Sequence, residues 1–548
     1  MLLQVHDIRN AIIGEGRAIP GPFGPRALLY ADYVASGRAL AFIEDAIRTH
    51  VLPYYGNTHT ETSFTGRRTT QLREMARTAV RKAVDADEGH AVIFTGPGTT
   101  AAADKLVRAL CLRGLDDRSV IFVGPYEHHS NDLPWRESGA TVVRIPLDSH
   151  GRICLDTLAR ELARHAAAPT KIGAFSAASN VTGVRTDLRA IARLLHRHDA
   201  WCVADFAAAA PYIAVRLAET APGAGDRIDA AFLSPHKYPG GPGASGVLIA
   251  DKRLLDTDRP TVTGGGTVTY VTAEGHSYVT DPEQREEGGT PAIVENIRAG
   301  MVLQLKRDMN EAEVERLEMA AAERFDTALR AIPGVELLGP VDAPRIGIFS
   351  FNIRVQDKLL HHNYVVALLN DLFGIQARGG CSCAGPYGHA LLDIDPTTSE
   401  RYEAAVGHGY SAFRPGWARL GVNWFFSDQD IDRLARAIAF VAENGLRLLP
   451  HYTLDLSDGS WRARRPVADT LPSSLSELWQ DAGTRETTAL PDFETCLAEA
   501  AALASNPPGQ PCESVLALPG DQEALRWFWL PHEAATAGAT ALEKEGLV

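Results

Sequence analysis

The chain has few cysteines and no long apolar run, and these absences exclude several classes of protein. No apolar run approaches the roughly 20 residues that span a bilayer. The first residues, MLLQVHDIRNAIIGEG, contain an aspartate where a signal peptide has a basic region. Only 7 of the 548 residues are cysteine, unlike a secreted disulfide framework, and we interpret them as reduced thiols. They are Cys111, Cys154, Cys202, Cys381, Cys383, Cys496 and Cys512. These features predict a cytoplasmic protein.

Basic residues are fewer than acidic residues. The chain has 54 Lys and Arg against 68 Asp and Glu, a formal net charge of −14, with no long block of one sign. This balance argues against a general nucleic-acid binder. Internal repeats and low-complexity tracts are not evident either. With 548 residues, 45% of them hydrophobic, the chain is long enough for a large buried core and two or three domains.

Short β-branched runs alternate with amphipathic helical segments between about residues 90 and 250. The runs are AVIFTG, SVIFVG, TVVRIPL, KIGAFSA, WCVADFA, IDAAFLS and ASGVLIA, and TTAAADKLVRALCL and DLRAIARLLHRH are two of the helical segments. This alternation predicts an α/β domain with a mostly parallel sheet. A long helical stretch near 291–330, the run RIGIFSFNI, a helix near 359–373, the run WARLGVNWF and a helix near 428–444 predict a second, smaller α/β domain. The remaining residues are richer in proline and serine, with one helix near 492–504.

Four segments follow predicted strands, at the edge where open α/β sheets bind ligands. The first, FTGPGTTAAADKL (94–106), is a glycine turn that opens a helix. Gly96 and Gly98 permit close approach of the backbone, and Thr99, Thr100 and the first helical amides offer donors to a phosphate. The alternative is an ordinary turn with a threonine cap. The segment lacks the lysine of a P-loop and the third glycine of a dinucleotide-binding turn.

The next two segments supply an acid and an amine. Asp205 ends the strand in VADFAAAAP, where a buried carboxylate needs a positive or protonated partner such as a pyridinium N–H. A helix N-cap or a structural ion pair are the alternatives. Lys237 lies in LSPHKYPGGPG, where a lysine with a lowered pKa can attack a carbonyl and shuttle a proton. The alternative for Lys237 is a solvated loop lysine.

The fourth segment, RGGCSCAGPYGH (378–389), combines a cation with thiols. Arg378 can bind a carboxylate in a bidentate manner, and Cys383 suits a nucleophile on a glycine-rich loop. Two alternatives remain. Cys381, Cys383 and His389 can be metal ligands, although their spacing is not a standard zinc pattern. The thiols can also be incidental.

The order of these segments resembles the class V branch of the fold-type I pyridoxal-phosphate enzymes, in particular cysteine desulfurases and selenocysteine lyases. The resemblance covers about residues 28–445. Further similar segments are YADYVASGR, NTHTETSFTGRRTTQLREMAR, YEHHSNDLPW, SNVTG and EEGGTP. The HHSNDLPW form is also similar to the desulfurase-like domain of molybdenum cofactor sulfurases.

The resemblance implies a fold, a domain division and a cofactor. The fold is a large domain with a mostly parallel sheet plus a smaller C-terminal α/β domain. The expected division is an N-terminal arm (1–27), a cofactor-binding domain (28–300), a small domain (301–445) and a C-terminal extension of unassigned role (446–548). The cofactor is pyridoxal 5'-phosphate, and no metal is expected.

The resemblance also assigns roles to individual residues. Lys237 forms the Schiff base, Asp205 pairs with the pyridine nitrogen and His128 stacks on the ring. Asn180 reaches the ring hydroxyl, Arg378 binds the substrate carboxylate and Cys383 accepts sulfur, the family spacing favouring it over Cys381. The phosphate is held by Thr99, Thr100, Ser234 and His236, with Thr290 contributed by the neighbouring subunit of a homodimer.

The expected reaction takes sulfur from L-cysteine onto Cys383 as a persulfide and releases alanine, with a sulfur-acceptor protein as partner and neither nucleic acid nor membrane. One departure bears on this expectation, because Ala208 stands where desulfurases have a glutamine that binds the ring hydroxyl. Other class V enzymes are therefore the main alternative: a β-lyase, decarboxylase, epimerase or carbon–carbon bond-forming enzyme in which Cys383 is incidental. A non-catalytic scaffold and a plain nucleotide-binding α/β enzyme are further alternatives.

Overall fold

The computed structural model describes residues 3–58, 60–467, 472, 474–479, 489–506 and 518–533. Cys512 and the remaining parts of the predicted C-terminal extension lie outside the described residues. The six described cysteines are free thiols. Within the described ranges, no helix is long and apolar enough to cross a membrane.

The described chain contains sixteen α-helices and twenty strands, numbered here in chain order. The helices are α1 (Val5–Ala11), α2 (Ala41–Ala46), α3 (Phe64–Ala83), α4 (Gly98–Leu112), α5 (Leu133–Glu137), α6 (Leu155–Arg164), α7 (Leu188–His196), α8 (Pro282–Arg285), α9 (Ile293–Asp308), α10 (Glu311–Arg330), α11 (His362–Phe373), α12 (Gly385–Leu391), α13 (Pro396–Gly407), α14 (Asp428–Leu448), α15 (Phe493–Ser505) and α16 (Gly520–Glu523). The strands are β1 (Ala18–Ile19), β2 (Arg26–Ala27), β3 (Leu29–Tyr30), β4 (His90–Gly96), β5 (Val120–Val123), β6 (Thr141–Arg144), β7 (Lys171–Ser176), β8 (Trp201–Asp205), β9 (Ala230–Leu233), β10 (Gly246–Asp251), β11 (Val268–Val271), β12 (His276–Tyr278), β13 (Val335–Leu337), β14 (Ile348–Val355), β15 (Lys358–Leu359), β16 (Ile375–Gln376), β17 (Arg378–Gly380), β18 (Trp417–Gly421), β19 (Tyr452–Leu454) and β20 (Trp461–Ala463).

The large domain is built on a seven-stranded sheet with the order β4-β10-β9-β8-β7-β5-β6. Its strands are the seven predicted from the sequence. All neighbours from β6 to β9 pair in parallel, and only β10 runs antiparallel to β9 and β4. β5, β7, β9 and β10 are buried along their whole length, as expected for a sheet covered by helices on both faces. The predicted α/β fold with a mostly parallel sheet is confirmed.

The predicted helical stretch near 291–330 is two helices. α9 ends at Asp308 and α10 begins at Glu311. Asn310 separates them with a φ of 62°, which is in the left-handed region. A right-handed helix cannot continue through a residue in that conformation, and asparagine is one of the few side chains that adopt it at small cost.

The smaller domain has its own sheet and its own core. Its sheet has the order β13-β14-β18-β17, with β15 paired to β14. α10, α11 and α14 contribute buried residues to a core that contains none of the seven strands of the large sheet. The predicted helix near 428–444 is present and continues to Leu448. The boundaries expected between the domains stay a prediction.

The C-terminal extension folds onto the small domain. β19 and β20 form an antiparallel hairpin, and α15 packs on α14 and α11, within one residue of the helix predicted near 492–504. Trp461, Phe528 and Leu530 are buried in the same apolar core as the helices of the small domain. The described part of the extension is thus a structural layer of that domain.

Candidate active site

The predicted site residues converge on one cleft at the carboxyl edge of the large sheet. The cleft has a volume of about 280 Å³, near the lower end of the ~300–1,000 Å³ typical of small-molecule sites. Both domains line it. The predicted residues in its lining are Thr99, Thr100, His128, Asn180, Asp205, Ser234, His236, Lys237, Arg378 and Cys383.

The start of α4 forms a cradle for an anion. Gly98 has a φ of 56°, and a Cβ there would lie 2.8 Å from Cε1 of His236 and 3.1 Å from Oγ of Ser234. The N–H of Thr99 donates to Oγ of Ser234 at 3.0 Å. The helix has no side-chain cap at Pro97. Amides, hydroxyls and the positive end of the helix dipole therefore meet at this point, as a phosphate site requires.

His128 is held as a neutral ring. The backbone N–H of Ser130 donates to Nδ1 of His128 at 3.1 Å, so Nδ1 is an acceptor and the ring proton is assigned to Nε2. Burial, reinforced by the charge of Lys237, lowers the pKa of His128 to about 4. Oγ of Ser130 also lies 2.7 Å from Oγ1 of Thr100, which connects the histidine to the anion cradle.

Asp205 and Lys237 are a carboxyl and an amine whose charged forms are both disfavoured by burial. Burial raises the pKa of Asp205. The N–H of Ala207 donates to Oδ1 at 2.8 Å and acts in the opposite direction, to lower this pKa. Burial lowers the pKa of Lys237 to about 8, although the charge of Asp205 acts to raise it. Within the described part of the chain, Nζ of Lys237 has no hydrogen-bond or ion-pair partner. The site therefore holds an amine that is readily deprotonated, together with an acid that needs a cationic partner.

Two arginines from the small domain close the cleft. Arg378 on β17 and Arg419 on β18 are directly opposite each other in the antiparallel pair. Nε of Arg378 lies 3.0 Å from Oδ2 of Asp32, and Nη2 of Arg419 lies 3.5 Å from Oδ1 of the same carboxylate. Asp32 thus offsets the repulsion expected of like charges on facing strand positions.

Sequence reasoning missed Arg419. Its side chain is only 5% exposed, against 55% for Arg378, and Nη1 donates to the backbone carbonyl of Asn180 at 3.0 Å. Nε of Arg419 has no partner among the described residues. The sequence does contain one indication of its role, a single arginine in the otherwise apolar strand WARLG. A buried arginine needs a polar or charged partner, which an ordinary apolar core does not supply.

The loop after β17 presents Cys383 in a tight turn. Ser382 and Cys383 have φ of 54° and 56°, and the N–H of Ala384 donates to the carbonyl of Cys381 at 3.3 Å. The pattern is that of a type I′ turn, here formed without glycine.

The large domain and β18 hold this turn at the cleft. Nδ2 of Asn180 donates to the carbonyl of Ser382 at 2.7 Å, and the N–H of His129 donates to that of Cys383 at 3.0 Å. Nε1 of Trp417 donates to Oγ of Ser382 at 3.2 Å. Cys383 is exposed and lines the cleft, whereas Cys381 packs against the apolar core of the large domain.

Thr290 lies apart from the residues that line the cleft. It is exposed, and its Oγ1 accepts a hydrogen bond from Nδ2 of Asn57 at 3.4 Å. Its role was assigned through a neighbouring subunit and stays a prediction. Ala208 does line the cleft, without a polar atom in its side chain. No group of three or more possible metal ligands occurs in the described ranges, so Cys381, Cys383 and His389 do not form one there.

Comparison with known proteins gives the family. A sequence profile of Aminotransferase class-V matches residues 29–434. The chain belongs to the class-V aminotransferase family. A probable cysteine desulfurase of Halalkalibacterium halodurans is 30% identical over 415 residues, which is 75% of this chain and 92% of that protein. A probable cysteine desulfurase of Staphylococcus aureus strain COL is 27% identical over 381 residues, 69% of this chain and 88% of that protein.

Solved structures of cysteine desulfurases share the fold. A cysteine desulfurase from Thermococcus onnurineus has a TM-score of 0.64 at 24% identity, covering 76% of this chain and 95% of that one. The cysteine desulfurase CsdA from Escherichia coli has a TM-score of 0.63 at 22% identity, covering 81% of this chain and 99% of that one. The predicted fold type is confirmed. The family profile ends at residue 434 and leaves the C-terminal extension unmatched.

The protein is an enzyme dependent on pyridoxal phosphate, as its family indicates. The cleft fits this group in three respects. The cradle at Gly98 accepts an anion, the buried carboxyl of Asp205 suits a protonated pyridine nitrogen, and Lys237 offers an unpaired amine. A fourth observation agrees, since Oδ1 of Asn180 is buried beside the cleft without a partner among the described residues.

We expect the amine of Lys237 in the cofactor-free protein to titrate near pH 8, because burial lowers its pKa to about 8. Its acetylation rate with acetic anhydride, measured by peptide mass spectrometry, should rise about tenfold per pH unit below that value and level off above it. Asp205→Asn removes a negative charge that raises this pKa, so the midpoint should fall further. A rate that still increases tenfold per unit at about pH 10 would contradict the proposed environment.

Proposed function

We propose that this protein is a cysteine desulfurase, which transfers the sulfur of L-cysteine to Cys383 and releases alanine. The observation that carries the proposal is that Cys383 lines the same cleft as Lys237 and Asp205. Relatives described as probable cysteine desulfurases match most of the chain and support it.

The proposed cofactor contacts follow from the chemistry of the lining. The start of α4, with Thr99, Thr100, Ser234 and His236, binds the phosphate. Asp205 holds the pyridine nitrogen in its protonated form, because an anion there compensates a charge that burial disfavours. The neutral ring of His128 would contact the cofactor ring. Pyridoxal phosphate, when bound, supplies an electron sink for the pair left at Cα after proton removal.

Lys237 is the proposed base. Its ε-amine, which is unpaired among the described residues, would remove the Cα proton of the bound amino acid. A pKa near 8 leaves a substantial fraction of the amine neutral at physiological pH, which an unperturbed lysine would not. The same amine can return a proton to carbon later in the reaction.

Arg419 and Arg378 are proposed to bind the substrate carboxylate. Arg419 is buried and fixed by the carbonyl of Asn180, which leaves its Nε without a partner among the described residues. Arg378 is more exposed and is oriented by Asp32. We therefore assign the main carboxylate contact to Arg419, with Arg378 as the outer member of the pair.

Cys383 is the proposed nucleophile. Its thiolate attacks the sulfur of the substrate, so that a sulfur–sulfur bond forms while the Cβ–S bond breaks. The electron pair of the broken bond stays with carbon, which takes up a proton, and alanine leaves. The turn that presents Cys383 to the cleft also directs Cys381 toward the core of the large domain, which supports Cys383 as the reacting thiol.

Cys383→Ala should abolish alanine formation from L-cysteine, because no other cysteine lines the cleft among the described residues. Alanine is measured by chromatography and the persulfide on the protein by mass spectrometry after alkylation. Cys381→Ala is the matched control and should retain both products within about threefold. Alanine formed at an undiminished rate by Cys383→Ala would overturn the proposed role. Absence of alanine from the unmodified holoenzyme, with other amino-acid products, would overturn the desulfurase assignment.

Arg419→Met should raise KM for L-cysteine by about ten- to a hundredfold, since a charged hydrogen bond to the substrate carboxylate is lost. Arg378→Met should have a smaller effect, because that side chain is half exposed. Steady-state kinetics with the two variants and with Arg419→Lys measures the difference. Equal KM values for Arg419→Met and the unmodified enzyme would refute this assignment.

We also propose that the protein works as a cytoplasmic homodimer and passes its sulfur to an acceptor protein. The free cysteines support a reducing compartment. The exposed position of Thr290 leaves it available to a second subunit. Sedimentation velocity should give a particle of twice the 59.1 kDa chain mass, and a monomer that is fully active at assay concentration would disprove the shared site.

A further inference from the structure

The C-terminal extension covers the start of α11 with aromatic and polar contacts. The indole of Trp527 stacks on the imidazole of His361, with centroids 5.2 Å apart and an interplanar angle of 15°. It also lies 5.7 Å from the ring of His362. The backbone carbonyl of Gly459 accepts a hydrogen bond from Nδ2 of Asn363 at 2.8 Å. Two separate parts of the extension thus fix three consecutive side chains.

The opposite side of His362 and Asn363 supports β17. A Cβ at Gly379 would lie 2.3 Å from Oδ1 of Asn363 and 3.2 Å from Nδ1 of His362. A Cβ at Gly416 would lie 2.7 Å from Cδ2 of His362 and 2.8 Å from the backbone carbon of Gly380. The backbone of Gly379 therefore packs directly against these two side chains, and a displacement of either one toward β17 would be transmitted to the strand.

The side chains of His362 and Asn363 are linked to each other by a hydrogen bond. Nδ1 of His362 donates to Oδ1 of Asn363 at 3.0 Å, and both side chains lie at the start of α11. Burial lowers the pKa of His362 to about 4, so the ring stays neutral through the physiological range. The support beneath β17 is therefore constant across the pH range in which Lys237 titrates.

β17 and the turn that follows it carry two functional groups of the cleft. Its first residue is Arg378, and the turn with Cys383 follows its last residue, Gly380. We propose that the C-terminal extension positions the substrate-binding and sulfur-accepting groups of the cleft. In this proposal, Trp527 and the carbonyl of Gly459 are positioning elements that act through His362 and Asn363. The proposal rests on the proposed function. It gives a role in that function to a part of the chain that the family profile leaves unmatched.

Trp527→Leu in the full-length holoenzyme tests the proposal, with Trp529→Leu as matched control. Trp529 belongs to the same segment and is buried, but its Nε1 donates to the carbonyl of Val355 at 3.0 Å and its indole makes no ring contact with His361 or His362. Both variants lose a packed indole, so both should lower the thermal midpoint. Only Trp527→Leu should shift the groups carried by β17.

Three readouts separate positioning from stability. Trp527→Leu should raise KM for L-cysteine at least fivefold and weaken L-alanine binding, followed by the cofactor absorbance, to the same extent. Hydrogen exchange should show at least tenfold faster exchange in the 381–388 segment, where the turn is held by His129 and Asn180. Trp529→Leu should leave all three within twofold. Asn363→Ala should reproduce the changes seen in Trp527→Leu. Trp527→Phe keeps an aromatic ring and should retain most of the affinity for L-alanine that Trp527→Leu loses.

The readouts show whether this positioning proposal fails separately from the proposed desulfurase function. L-alanine affinity and hydrogen exchange do not require desulfurase turnover, so they test positioning even if the holoenzyme forms no alanine from L-cysteine. Unchanged affinity and exchange in both Trp527→Leu and Asn363→Ala would overturn the proposal. Equal changes in Trp527→Leu and Trp529→Leu would also overturn it, because they would show that the extension only stabilises the small domain.

Discussion

The cleft is organised around the burial of one carboxyl and one amine at the carboxyl edge of parallel strands. Asp205 ends β8 and Lys237 follows β9, so the strand geometry brings them together without any contribution from the small domain. Burial disfavours the charge on each of them, and neither is fully compensated by the other. A ligand that brings a protonated ring nitrogen and a carbonyl would compensate both groups, as proposed above for pyridoxal phosphate.

The two domains divide the work of the cleft. The large domain supplies the anion cradle, His128, Asp205 and Lys237, which are the proposed cofactor contacts. The small domain supplies Arg378, Arg419 and Cys383, which are the proposed substrate contacts. Under this proposal, substrate selection would depend on β17, β18 and the turn after β17, separately from the cofactor site. The C-terminal extension packs on the substrate-binding side of this division.

Much of the fold and of the cofactor site was predictable, for physical reasons. Buried strands of such a sheet are mostly apolar runs in the sequence. These runs predicted all seven strands of the large sheet. Gly98, Asp205 and Lys237 follow such runs directly, so their shared edge was also predictable. Arg419 was missed because the apolar strand around it gives no indication of which face meets the cleft. The break at Asn310 was missed because asparagine occurs within helices as well as between them. The packing of Trp527 on His361 joins residues 166 positions apart, which no local pattern encodes.

If Arg378 and Arg419 bind the substrate carboxylate as proposed, their grouping with Asp32 limits the charge of the molecules that the cleft accepts. Two positive charges and one negative charge leave a net charge of +1 in this corner, and a zwitterionic amino acid contributes one carboxylate to balance it. A dicarboxylic amino acid would bring a second negative charge for which this corner holds no uncompensated cation. In the proposed function, the charge balance of this corner would therefore favour substrates with uncharged side chains, independently of the size or shape of the pocket.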